Sequence, residues 1–179
     1  MAIYNGSTKI KALYRGAAKL KSAYVGGTKV WGAEQTLYDS GDKCADVTGG
    51  WNQKKEAGQG ACTDGGTYLA AATSGAKPNM IGWCTASAVN YAALGIRTLY
   101  AEVEVTARSG GTTGLRLCAT GSAYSNPQQY IPVTAVGTYT LSVDVSATAA
   151  GIVYLCSYTA WDDGQIAFRI KRVWGPAAN

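Results

Sequence analysis

Tyr158, Trp161, Asp162 and Asp163 bring two aromatic rings and two carboxylates into one short stretch. That combination suits sugar binding: rings stack on the apolar faces of a pyranose while carboxylate and amide groups grip its hydroxyls. A second set, Tyr124, Gln128 and Tyr130, lies in the segment Tyr124-Ser125-Asn126-Pro127-Gln128-Gln129-Tyr130. Both read as loops, where recognition residues usually sit. The competing reading is that Trp161 only covers an end of the fold, as Trp51, Trp83 and Trp174 are expected to do.

Catalysis finds less support. The chain has no histidine, so the usual acid/base and the usual partner of a Ser or Cys nucleophile are missing. Two carboxylate pairs remain, Asp162-Asp163 and Glu102/Glu104. The first is better explained as turn chemistry and the second as a solvated strand face. A non-enzymatic protein with no catalytic residues and no cofactor is expected. Cys44, Cys62, Cys84, Cys118 and Cys156 are widely spaced, odd in number and without a C-x-x-C pair. A zinc site would need ligands from scattered loops. Reduced thiols and no metal are expected, most cysteines acting as small apolar core residues.

The elements that would position these residues read as strands. Leu99, Ala101, Val103 and Val105 alternate with Tyr100, Glu102, Glu104 and Thr106, the pattern of a half-buried strand. Tyr139, Leu141, Val143 and Val145 repeat it. Gly151–Tyr158 is nearly all apolar, as expected of a strand buried on both faces. Asp162-Asp163-Gly164 signals a hairpin turn, with Ile166, Phe168 and Ile170 returning the chain. Asn52–Gly66 reads as a polar loop. Some eight to ten strands and no persuasive helix make the chain all-β. The expected fold is a two-sheet jelly-roll β-sandwich over residues 34–179.

Residues 1–33 have a different character. A decapeptide is written three times, as Tyr4, Tyr14 and Tyr24, then Gly6, Gly16 and Gly26, then Lys9, Lys19 and Lys29, then Ile10, Leu20 and Val30. Repeats of this kind dominate architecture. All six basic residues of the stretch fall on odd positions, while every even position from Tyr4 to Val30 is uncharged. The expected structure is a set of short β-arms, able to reverse at the glycines, with one apolar and one cationic face. Such arms bury too little to fold alone. Tyr4, Tyr14, Tyr24, Ile10, Leu20, Val30, Lys9, Lys19, Lys29 and Trp31 are therefore expected to anchor the chain to copies of itself or to a larger assembly. A flexible basic tail is the plainer alternative.

Charge follows the same division. The net charge is +5, yet residues 1–33 carry six bases and no acid, leaving ten bases and eleven acids for the rest. A lysine-rich ribbon could meet nucleic acid. That partner is disfavoured here, because the expected faces separate rings from lysines whereas stacking platforms interleave them. No stretch is apolar and long enough to span a bilayer, and no signal peptide follows Met1. No membrane insertion is expected, and synthesis in a cytoplasm is.

Both ends of the chain resemble minor virion proteins of phages and prophages of Gram-positive gut bacteria. Those proteins open with tandem Tyr-x-Gly-x-x-Lys-Val units, as in Tyr4–Ile10, Tyr14–Leu20 and Tyr24–Val30, the last running into Trp31. Their following domain begins like Leu37-Tyr38-Asp39-Ser40-Gly41-Asp42-Lys43-Cys44 and Asp46-Val47-Thr48-Gly49-Gly50-Trp51, and closes like Ile170-Lys171-Arg172-Val173-Trp174. The middle is matched by texture, best at Leu99-Tyr100-Ala101-Glu102-Val103. The resemblance implies a galactose-binding-like jelly roll, the architecture of many carbohydrate-binding modules. It also implies a fibre, tail or capsid-decoration component on the virion surface, assembled in the bacterial host cytoplasm. The expected partners are other virion proteins, further copies in a homotrimer, and a host cell-surface glycan. The alternative is a lectin-like module whose basic arm is only a linker.

Overall fold

The computed structural model describes residues 4–5, 8–9, 14–15, 18–19, 22–25, 28–32, 34–55, 60–74, 80–120, 128–160 and 164–176. The repeats form three antiparallel strand pairs. They are β1 (Tyr4–Asn5) with β2 (Thr8–Lys9), β3 (Tyr14–Arg15) with β4 (Ala18–Lys19), and β5 (Ser22–Val25) with β6 (Thr28–Gly32). Each pair brackets the glycine of its repeat. Trp31, into which the third repeat runs, belongs to β6.

The register corrects one expectation. Tyr4 stands opposite Lys9, Tyr14 opposite Lys19 and Tyr24 opposite Lys29. Directly opposed positions of an antiparallel ladder share a face. The even/odd separation of tyrosines from lysines holds along one unbroken strand, but pairing an even with an odd position reverses it across a hairpin. Tyrosine and lysine positions thus lie together, and the separation invoked against nucleic acid is absent. Ile10 and Leu20 lie outside the described residues.

The remaining chain contributes β7 (Gln35–Asp39), β8 (Trp51–Lys54), β9 (Gly60–Asp64), β10 (Leu69–Thr73), β11 (Gly82–Thr85), β12 (Val89–Asn90), β13 (Thr98–Ser109), β14 (Thr113–Cys118), β15 (Gln129–Pro132), β16 (Gly137–Asp144), β17 (Ala150–Gly151), β18 (Tyr154–Thr159) and β19 (Gln165–Gly175). Two single-turn helices, α1 (Ala45–Thr48) and α2 (Tyr91–Leu94), interrupt them. Neither was expected; Asn90 caps the second by accepting from the Ala93 N–H at 2.9 Å. β8 and β9 occupy what reads as the polar loop Asn52–Gly66.

The strands build the expected jelly-roll sandwich. One sheet runs β16-β13-β19-β10-β9, with β7 also paired to β19; the other runs β15-β14-β18-β11-β8. Leu99, Ala101, Val103, Leu141, Val143, Phe168 and Ile170 meet Leu115, Leu117, Leu155 and Trp83 in one buried core. Leu155, Cys156 and Ser157 are consecutive and fully buried, as expected of a strand covered on both faces. Trp51 and Trp83 are 7 % and 3 % exposed, and their indole N–H groups donate to Leu37 O at 3.2 Å and Ala70 O at 2.9 Å. Each tryptophan thereby ties one sheet to the other.

Two expectations fail at the sheet margins. β18 and β19 do not pair; they lie in different sheets, so the stretch between them is a crossover and not a hairpin. Trp174 is half-buried outside the core and stacks on Tyr100, with ring centroids 5.5 Å apart. In β19 the buried residues run Ile166, Phe168, Ile170 and then Val173. A bulge opposite Glu102 and Val103 shifts the register there, and one extra residue sends the following side chains to opposite faces.

Candidate functional site

The outward face of the β15-β14-β18-β11-β8 sheet carries the candidate site. In β14, Leu115 and Leu117 point into the core, which turns Gly114, Arg116 and Cys118 outward. In β18, Leu155, Ser157 and Thr159 point inward and Tyr154, Cys156 and Tyr158 outward. The pairings Tyr130↔Arg116, Arg116↔Cys156, Gly82↔Cys156 and Gly82↔Lys54 then place one rung across all five strands. Gly114↔Tyr158 sets Tyr158 on the next rung.

Arg116 is the centre of the cluster. Its guanidinium carbon lies 3.9 Å from the Tyr158 ring centroid and 5.8 Å from that of Tyr130. Tyr130 meets Tyr158 edge-on, centroids 6.0 Å apart and planes at 85°. Such contacts gain from the negative face of each ring. Burial raises the Tyr130 phenol above its ordinary value, while the Arg116 charge opposes that shift. A Cβ on Gly114 would come within 2.2 Å of the Tyr130 ring, so the absent side chain makes the seat on which Tyr130 rests. Tyr130 itself remains 39 % exposed.

The rest of the rung is lower and less polar. Met80 packs on Cys156 with Tyr154 beside them, and Lys54 Nζ lies 5.9 Å over the Tyr154 ring. The Arg116 Nη1 donates to Met80 Sδ at 3.6 Å, a weak acceptor. Arg116 Nε is buried without a hydrogen-bond partner. A strip of rings thus runs along the face with a cation near each end.

Of the residues singled out for glycan binding, Tyr130 and Tyr158 come together as described. Gln128 is spent on structure at this edge, its Oε1 accepting from the Ala119 N–H at 2.6 Å. Tyr124, Trp161, Asp162 and Asp163 lie outside the described residues. Glu102 and Glu104 share the outward face of the opposite sheet, Glu104 being 3.7 Å from Lys171 Nζ. Arg116 and Met80 had no sequence motif. The one signal was a basic residue at an outward position between Leu115 and Leu117, and its neighbours depend on register.

All five cysteines are free thiols. Cys118 and Cys156 are buried, while Cys44, Cys62 and Cys84 are half-buried. Burial raises the Cys44 thiol to about 11, helped by the charges of Asp42 and Asp46. Among the described residues, no group of three or more His, Cys, Asp or Glu side chains could hold a metal ion. Among them also, no helix is long and apolar enough to cross a membrane.

The fold is similar to that of solved carbohydrate-binding modules. One is a family 11 module from Clostridium thermocellum in complex with a β-1,3-1,4-mixed-linked tetrasaccharide. It is 8 % identical, with a TM-score of 0.44 over 80 % of this chain and 96 % of that one. Another is a CBM4 structure, 9 % identical, with a TM-score of 0.46 over 74 % of this chain and 90 % of that one. No family model and no curated protein matches the chain.

Proposed function

We propose that this chain is a non-enzymatic phage virion component, anchored through residues 1–33 and displaying a sandwich that binds surface glycans. The observation carrying the glycan reading is the Tyr130–Arg116–Tyr158 cluster, which is built on strands of a packed sheet and leaves Tyr130 open to solvent. Aromatic rings hold the apolar faces of a sugar, and the nearby cation takes its oxygens. Rigid strands keep that geometry with little ordering cost on binding.

The anchoring reading rests on the repeats. Three antiparallel strand pairs each set a tyrosine position opposite a lysine position. Two-stranded hairpins are marginal alone, so the arm gains most by docking. A homotrimer among other virion proteins meets that need, with the sandwich at the virion surface after assembly in the host cytoplasm. In the competing reading the arm is a linker and the sandwich acts alone as a lectin-like module.

Two measurements test these readings. A glycan array probed with the wild-type protein and with Tyr158→Ala should show ligands lost in the variant, whose melting temperature falls by only a few degrees. Retention of every ligand would remove this face from consideration. Deleting residues 1–33 should abolish oligomers in sedimentation and incorporation into particles, leaving the sandwich folded. A truncated protein that still joins particles would place the anchor elsewhere.

A further inference from the structure

The chemistry around Arg116 specifies a class of glycan, on the premise that this face binds sugar. None of the strands β15, β14, β18, β11 and β8 contains an aspartate or glutamate, while Arg116 and Lys54 both project from their shared outward face. The opposite sheet differs: Glu102 and Glu104 lie outward on β13, and Asp39 ends β7. Anionic and cationic side chains alternate there, with Arg172 3.8 Å from Asp39 and 2.7 Å from Glu34.

Arg116 is also poorly satisfied for its type. Among the described residues its guanidinium donates to a thioether, and its buried Nε donates to nothing. Arginines held near a sheet surface are ordinarily paired with carboxylates, and an unpaired buried donor costs free energy. Two tyrosine rings instead hold the guanidinium in place. A planar fork fixed by stacking matches the two oxygens of a carboxylate or phosphate.

We infer that this face recognises an acidic saccharide, one bearing a carboxylate or a phosphate, with Arg116 on the oxyanion and Tyr130 and Tyr158 against the ring. Lys54, at the far end of the same rung, adds longer-range attraction along an extended polyanionic chain.

Matched ligands test this by calorimetry on the full chain. Oligogalacturonate and its neutral methyl ester share one sugar backbone and differ in whether the acid is charged, and a phosphorylated mannan and its dephosphorylated form differ in whether the anion is present. The acidic member of at least one pair should bind about tenfold more tightly, consistent with one charge-assisted contact, and added salt should erode the difference. The pair that shows the preference tells carboxylate from phosphate. Arg116→Gln should abolish the preference, and Arg116→Lys should restore only part of it. Equal binding of charged and neutral partners, or an undiminished preference in Arg116→Gln with an unchanged melting temperature, would overturn the inference while leaving glycan binding intact. Failure of every sugar, including neutral cello-oligosaccharides, would overturn the glycan reading together with it.

Discussion

Tyr158 lies under the guanidinium of Arg116 at 3.9 Å from its ring centroid, closer than any other cation–ring pair described in the molecule. The ring, and not the phenol, makes that contact. Tyr158→Phe should leave stability within about 0.5 kcal/mol of wild type. A double-mutant cycle of Tyr158→Ala with Arg116→Gln should give a coupling of about 1 kcal/mol in denaturant melts. A coupling near zero would mean that the rings merely adjoin the charge.

Gly82 is fixed by its neighbour across the ladder. A Cβ there would lie 2.1 Å from the backbone oxygen of Leu155, which belongs to the central strand β18 and cannot yield. Gly82→Ala should cost about 3 kcal/mol. Urea unfolding would show this as a lower midpoint at an unchanged slope.

The thiols define an alkaline limit. Burial raises Cys44, Cys62, Cys84 and Cys156 above the ordinary thiol value. A group whose folded value is raised stabilises the fold below its unfolded value, about 8.5 for cysteine, and that contribution drains as pH climbs toward the folded value. Melting temperature should therefore decline above about pH 8.5. Alkylation of Cys44 should accelerate up to about pH 11, and Asp42→Asn should shift that profile down. Ellman titration in guanidinium should release five thiols.

Asp64 sets a small acidic counterpart. A hydrogen bond from Lys43 and then one from the Gly66 N–H hold its carboxyl below the ordinary range. Its contribution is present above the unfolded value of about 3.9 and is lost as pH falls through the folded one. The pair is substantially exposed, so Asp64→Asn should flatten the acid limb of the stability profile by less than about 1 kcal/mol.

How much of this was legible in the sequence depends on parity. Leu99, Ala101, Val103 and Val105 could be assigned to the core because alternation runs through β13 over that span. Trp174 could not: counting even positions from Ile166 places it inside, and the bulge near Lys171 and Arg172 turns it out. The same arithmetic misplaced the lysines of the repeats, where a hairpin reverses odd and even. Asp162-Asp163-Gly164 carried a turn signal, but turn residues do not say whether the next strand joins the same sheet or the facing one. Tyr130 and Tyr158 were recognisable as ring-bearing candidates. Their convergence on Arg116 needed the registers of three strands.

Strand β19 pairs with three strands of its sheet, β13 along one edge and β10 and β7 along the other. It is also the last strand of the sandwich to leave the ribosome. Until Gln165–Gly175 emerges, β7 has no ladder to join, and β10 is separated from β13. The strands that precede it are therefore held as an incomplete sheet until the final ladder closes on both of its edges.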